Sequence, residues 1–151
     1  MIRPIKPSDM EGLRRVIISS ELFPVEYLDE MIADYLNNPN SQDVWFTCID
    51  GTLPTAVGFC IPEKFTSGTY NLLALGVLKG VQRTGVATKM MQFLEKKLRE
   101  MGARVLIVET SSDDAQRAAR GLYFKIGYTE IAVIKDFWSE GEDKIVFWKK
   151  L

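Results

Sequence analysis

Apolar residues recur along this chain at two spacings, and the spacings divide it into helices and strands. Leu13, Val16 and Ile17 share a helical face behind Ser8 and Glu11, whose three-residue separation reads as a capping box. Pro24 suits a second helix start; Leu28, Met31, Ile32, Tyr35 and Leu36 then fall on one side, and Asn38-Pro39 stops the helix. Two strand-like runs follow, Val44 to Ile49 and Ala56 to Ile61, joined as a hairpin around Asp50-Gly51. A third run, Tyr70 to Leu78, comes after a Ser67-Gly68 turn.

The best-marked element runs from Gly85 to Met101. Val86, Met90, Leu94 and Met101 combine there with Ala87, Met91 and Leu98, while Lys89, Gln92, Glu95, Lys96, Arg99 and Glu100 fill the other face. Gly102 stops it. Arg104 to Val108 reads as a buried strand running into Glu109-Thr110-Ser111-Ser112. A short helix, Ala115 to Ile126, ends at Gly127; a strand around Ile131 to Phe137, a turn with Gly141, and Ile145 to Trp148 close the chain. With the extended start Ile2 to Lys6, the order is β-α-α-β-β-β-α-β-α-β-β. Three consecutive strands followed by a strand–helix–strand unit predict a mixed sheet covered by helices, an α/β fold of the α+β type in one domain over 1–151.

Composition narrows the function classes. A chain of 151 residues with 46% hydrophobic and 26% charged residues is an ordinary globular domain. Its 19 basic and 20 acidic residues give a net charge of −1, against the excess of Lys and Arg that nucleic-acid binding requires. There is no histidine, which rules out Ser-His-Asp and Cys-His mechanisms and most transition-metal sites. Cys48 and Cys60 are the only cysteines, read as reduced packing residues with no zinc ligand pair nearby. Met1 to Asp9 lacks an apolar signal region and no apolar run reaches the ~18 residues of a membrane span. The expectation is a cytoplasmic protein with no membrane or nucleic-acid partner and no metal.

The chemistry concentrates where Leu75-Gly76-Val77 passes into Gln82-Arg83-Thr84-Gly85-Val86-Ala87. A strand ends there and a long helix opens on small residues. The first turn of a helix offers unpaired N–H groups and the positive end of the dipole, and small residues let a phosphate approach the backbone. Arg83 or Lys79 could add a charge. Small residues opening a helix also serve close packing, so the turn by itself leaves both readings open. It is neither a P-loop, since Val86-Ala87-Thr88 follows Gly85, nor a three-glycine dinucleotide fingerprint.

The spacing Gln82-x-x-Gly85-x-Ala87 resembles the Q/R-x-x-G-x-G/A signature of the GNAT superfamily of CoA-dependent N-acyltransferases, with Val77 five residues before Gln82 as in that family. Ala119-Arg120-Gly121-Leu122-Tyr123-Phe124-Lys125-Ile126-Gly127-Tyr128 resembles the family's later A-x-x-L-Y-x-x-x-G-F/Y block. Asp136-Phe137-Trp138 with Gly141-Glu142-Asp143-Lys144 is similar to the ending of one bacterial branch. Lys79-Gly80, Arg83 and Gln116 depart from the common pattern, Gln116 standing where many members carry a cofactor-contacting Asn.

The resemblance implies a mostly antiparallel sheet of six to seven strands, about four helices, and a splay between the fourth and fifth strands. It implies acetyl transfer from acetyl-CoA to a primary amine by direct attack, the cofactor contacts falling at Leu75, Val77, Gln82, Arg83, Thr84, Gly85, Val86, Ala87, Thr88, Gln116 and Tyr123. A main-chain N–H near Val77 would hold the thioester oxygen, with Gly76 expected to mark a bulge, and Tyr123 would be the general acid. Glu109 is the first candidate base and Glu63 the second. Phe23, Tyr27, Phe137 and Trp138 are candidates to line the acceptor pocket. The acceptor, a small-molecule amine or a peptide or protein amine, stays open, and a homodimer is among the arrangements the family allows. The competing reading is a non-catalytic acyl-CoA-binding module on the same fold.

Overall fold

The computed structural model describes residues Met1–Leu151 in full. Seven strands form one sheet in the order β1-β2-β3-β4-β5-β7-β6: β1 (Ile2–Pro4), β2 (Val44–Asp50), β3 (Leu53–Pro62), β4 (Thr69–Val77), β5 (Val105–Ser111), β6 (Thr129–Ser139) and β7 (Glu142–Lys150). Four helices accompany them: α1 (Met10–Ser20), α2 (Leu28–Asn37), α3 (Val86–Glu100) and α4 (Arg117–Lys125). Every neighbouring pair is antiparallel except β4 and β5, which α3 connects. A parallel neighbour needs a crossover, and the strongly amphipathic Val86–Glu100 segment provides it. The element order, the mixed sheet and the number of helices agree with the sequence reading.

Period-two alternation divides the core between the two faces of the sheet. Phe46, Ala56 and Cys60 point to the side covered by Met90, Met91, Leu94 and Leu98 of α3. Trp45, Val57 and Phe59 point to the side covered by Leu13, Val16 and Ile17 of α1 and Leu28 and Ile32 of α2. Trp45 and Phe59 are cross-strand partners whose rings stack at 4.0 Å. At the far edge β6 is exposed along its whole length. No helix is long and apolar enough to cross a membrane.

Two local expectations are corrected. Ser8 does not cap α1: it lies inside a 3-10 turn, Pro7–Asp9, that leads into the helix. Asp9 stands at the N-cap of α1 without a side-chain bond to that helix; its carboxylate closes the 3-10 turn instead, accepting from the Lys6 backbone N–H at 2.7 Å and from Arg3 Nη1 and Nη2 at 2.8 and 2.9 Å. A two-oxygen carboxylate serves the backbone and the fork of Arg3 together, which a hydroxyl could not. Gly76, for its part, pairs regularly with Val57; the extra residue in β4 is Leu73, between Leu72 opposite Cys60 and Ala74 opposite Phe59. Gly76 is required by α1 and the segment after it: a Cβ there would meet Ser20 Oγ at 2.7 Å and Leu22 Cδ2 at 2.9 Å.

The Arg3 hydrogen bonds hold the Asp9 carboxyl below the usual carboxylate range, against the opposing effect of burial. A depressed folded-state pKa adds stability that is complete above the unfolded value of ~3.9 and is lost as pH falls through the folded value. Asp9→Asn is therefore expected to cost about 2 kcal/mol at pH 7. The gap between variant and wild type should shrink below about pH 4, as read from urea midpoints at the two pH values.

Candidate active site

Pairing between β4 and β5 runs from Thr69↔Val105 to Leu72↔Val108 and stops. Beyond that point β4 stays with β3 as far as Val77, and β5 stays with β7 as far as Ser111. The right-handed twist of a sheet separates two strands that no longer share hydrogen bonds, and here they part at their C-terminal ends. The resulting cleft has a volume of about 310 Å³ and is lined by Leu22, Leu72 to Leu75, Val108 to Ser111, Asp113, Gln116, Ala119, Tyr123, Trp138 and Glu142. Its position, outside the carboxyl ends of adjacent parallel strands, is where open α/β sheets bind ligands.

α3 begins just past the end of β4. Gly85 is its N-cap at φ 87°, and no protein atom lies within 4 Å of where a Cβ would stand. No side chain caps the helix, and Lys89 N–H, bonded to the Gly85 carbonyl at 3.1 Å, starts its regular ladder. The preceding N–H groups of the first turn, on Val86, Ala87 and Thr88, have no hydrogen-bond partner in the protein and are available to an anion. Arg83 adopts φ 64°, a left-handed conformation that glycine takes without strain. Gln82 Nε2 donates to the Val77 carbonyl at 3.1 Å and Thr84 Oγ1 to Val81 at 2.6 Å, so the turn is braced by its own side chains. The residues present thus fit a pyrophosphate.

α4 and its N-cap residue Gln116 bring Gln116, Ala119 and Tyr123 to the cleft. Tyr123 is 5% exposed; its ring packs against Tyr128, edge-on at 5.9 Å, and against Phe147 at 5.4 Å. Burial raises its pKa, so the hydroxyl stays protonated well above neutrality. Only Trp45 Nε1 and Asn71 Oδ1 are fully buried side-chain polar atoms without a partner, and Tyr123 lines the cleft. Arg120 ties α4 to the end of β5 through the carbonyls of Ser111 and Asp113.

Glu109 also borders the cleft, and its Oε2 pairs with Lys144 Nζ at 2.7 Å. That ammonium lies 4.2 Å above the Phe137 ring. Trp138 forms part of the wall and donates from Nε1 to the Thr110 carbonyl at 3.3 Å. Glu142 accepts from Ser111 Oγ at 2.6 Å and from Ser139 Oγ at 3.1 Å.

The fold therefore brings together Leu75, Glu109, Gln116, Tyr123 and Trp138. Glu63 is not among them: its carboxylate accepts from Asn71 Nδ2 at 2.8 Å near the start of β4, roughly 13 Å of strand from Leu75 at about 3.3 Å per residue. Phe23, Tyr27 and Phe137 also lie off the wall. Phe23 and Leu22 both pack against the α1–α2 core, Tyr27 is exposed, and of these Leu22 alone also lines the cleft. Sequence reasoning missed Leu22, Leu73, Thr110, Ser111, Asp113 and Glu142; the polar run after Val108 was the one signal that a strand there leaves the core. No group of three or more Cys, Asp or Glu side chains is placed to hold a metal ion.

The whole architecture is shared with solved structures. A protein from Desulfovibrio desulfuricans described as an acetyltransferase of the GNAT family superposes with a TM-score of 0.92 at 23% identity, covering 99% of this chain and 98% of its own. The ribosomal-protein-S18-alanine N-acetyltransferase from Escherichia coli gives 0.81 at 17% identity, over 99% and 92%. An aminoglycoside 6'-N-acetyltransferase complexed with coenzyme A gives 0.80 at 16%, over 99% and 96%. At these identities the likeness is one of fold. No curated protein matches the chain. A family model described as "Acetyltransferase (GNAT) family" matches residues 14–128, a span that includes the Gln82–Ala87 turn, Glu109 and Tyr123, and the chain belongs to that family.

Proposed function

We propose that this protein transfers the acetyl group of acetyl-CoA to a primary amine by direct attack, with Tyr123 as the general acid. The observation that carries the reading is that Tyr123, on α4, lines the β4–β5 cleft. The α3 amides around Gly85 hold the pyrophosphate, and Leu75, Gln116 and Ala119 flank the pantetheine arm. A main-chain N–H in the stretch Leu73 to Val77, which has no β5 partner, receives the thioester oxygen as it gains charge. The amine nitrogen bonds to the carbonyl carbon, the C–S bond breaks, and Tyr123 gives its proton to the leaving sulfur. Glu109, directly or through a water, accepts the proton the amine loses.

The acceptor is a small-molecule amine or an amine on a peptide or protein, entering past Trp138 and Glu142. We place the protein in a reducing compartment such as the cytoplasm, where its two free cysteines stay reduced. Thiol release from acetyl-CoA across a panel of amines tests the activity; binding of acetyl-CoA with no release above hydrolysis for any amine would favour a non-catalytic module.

The pH profile follows from the same groups. An alkyl ammonium of pKa ~10.4 must lose a proton to attack, so kcat/KM at fixed total amine rises with pH. The raised pKa of Tyr123 keeps the acid protonated over that range. No descending limb is expected below about pH 9.5, and one appearing there would remove Tyr123 from the acid role.

A further inference from the structure

Tyr123 Oη has no protein hydrogen bond to hold it, so the position of the hydroxyl is set by the walls of its ring. One wall is Phe147, a core residue of β7. The other, Tyr128, is held by an arrangement that packing alone does not require. Gly127 turns the chain at φ 94°, and Tyr128 N–H then bonds back to the Tyr123 carbonyl at 2.9 Å. The Tyr128 hydroxyl donates to Glu95 Oε2 at 3.0 Å. Glu95 lies on α3 and is 6% exposed; its Oε1 receives Lys149 Nζ at 2.9 Å and Arg99 Nη2 at 3.3 Å. Lys149 also donates to the Ile126 carbonyl at 2.9 Å and sits 5.1 Å from the centre of the Tyr128 ring.

A carboxylate this buried contributes little net stability compared with an apolar side chain of similar volume, because desolvation offsets much of the attraction. What it does supply is position. Three elements, α3, the turn after α4, and β7, meet on one tyrosine, which is tied at both its backbone and its hydroxyl.

We propose that Tyr128 is a positioning residue for Tyr123, locked by the Glu95–Lys149 pair, so that it fixes the proton-donating hydroxyl against the cleft. The proposal rests on Tyr123 being the acid. Proton transfer depends on alignment to a fraction of an ångström, and small misplacements are costly.

Tyr128→Phe keeps the ring and removes its tether. It is expected to lower kcat about tenfold while leaving the acetyl-CoA Kd within about twofold. Glu95→Gln keeps an acceptor for the tyrosine hydroxyl and should lose less. The deciding measurement is the double variant Tyr123→Phe/Tyr128→Phe, assayed well below the measured Tm of each protein. If Tyr128 works through Tyr123, the double variant is no slower than Tyr123→Phe alone. An unchanged kcat in Tyr128→Phe overturns the proposal, and so does a tenfold loss that persists in the Tyr123→Phe background. Full turnover in Tyr123→Phe alone would instead remove the acid assignment on which the proposal stands.

Discussion

Replacing Tyr123 by phenylalanine is expected to lower kcat by a hundredfold or more while acetyl-CoA binds as before, since a positioned general acid contributes roughly 10²–10⁴. The substitution removes one oxygen and keeps the ring that packs against Tyr128 and Phe147. Because Tyr123 Oη has no hydrogen bond to protein, its loss leaves no buried donor or acceptor stranded, and the melting temperature should stay near that of wild type. The sulfur would then leave as an unprotonated thiolate, which is slower in a site partly shielded from water. Steady-state kinetics combined with calorimetric binding check the claim. Turnover equal to wild type, or a loss explained entirely by a weaker Kd, contradicts it.

The second large effect concerns Gly85. Its Cβ position is open, so a leucine side chain meets no protein atom within 4 Å of the attachment point. Two penalties remain. A residue with a Cβ at φ 87° carries left-handed strain of about 1–2 kcal/mol, felt by the folded protein whether or not ligand is present. The side chain would also occupy the space in front of the α3 amides that a phosphate must enter. Losing two charge-assisted hydrogen bonds, at about 1.5 kcal/mol or more each, corresponds to a hundredfold or greater loss of affinity. Gly85→Ala separates the two contributions, because it carries the strain with little bulk. We expect Gly85→Ala to melt lower but keep most of its affinity, and Gly85→Leu to lose acetyl-CoA in calorimetry. Unchanged affinity in Gly85→Leu would mean that the turn serves helix packing and holds no phosphate.

Both predictions involve residues legible in the chain before any coordinates. Gly85 stands at the boundary between a β-patterned run and a strongly amphipathic helix, and Tyr123 stands in a block with its own spacing. The second was singled out by the resemblance of its block to a family motif, while the first depends on neighbours in sequence, so turn chemistry and periodicity expose it. The same holds for the order of elements, where every strand and helix falls within a few residues of its expected place. The bulge behaved differently. Gly76 carried the visible signal, but its lack of a side chain answers a close approach by Ser20 and Leu22, more than fifty residues away, while the extra residue is an ordinary leucine, Leu73.

The cleft wall shows the same division. Glu109 and Glu63 are comparable carboxylates in sequence; which one borders the cleft depends on β4 and β5 parting after Leu72 and Val108. That Glu109 already pairs with Lys144, and that Lys144 lies over Phe137, required the β5–β7 and β6–β7 pairings. Phe23 and Leu22 differ by one position and both pack against the α1–α2 core, yet only the leucine also lines the cleft. The buried Glu95 looked like part of a solvated helix face, because periodicity counts Lys, Arg and Glu alike; it is buried because Lys149 and Tyr128 arrive from β7 and the turn after α4.

Pattern along the chain was enough for the order of elements and the open start of α3, since each follows from side chains a few residues apart; the proposed role of Tyr123 came from the resemblance of its block to a family. The cleft wall, the pairing of Glu109 and the lock on Tyr128 came only with the tertiary structure. Each joins groups tens of residues apart, brought together by strand order and register, and the energies that place them are contact and desolvation terms that no local spacing records.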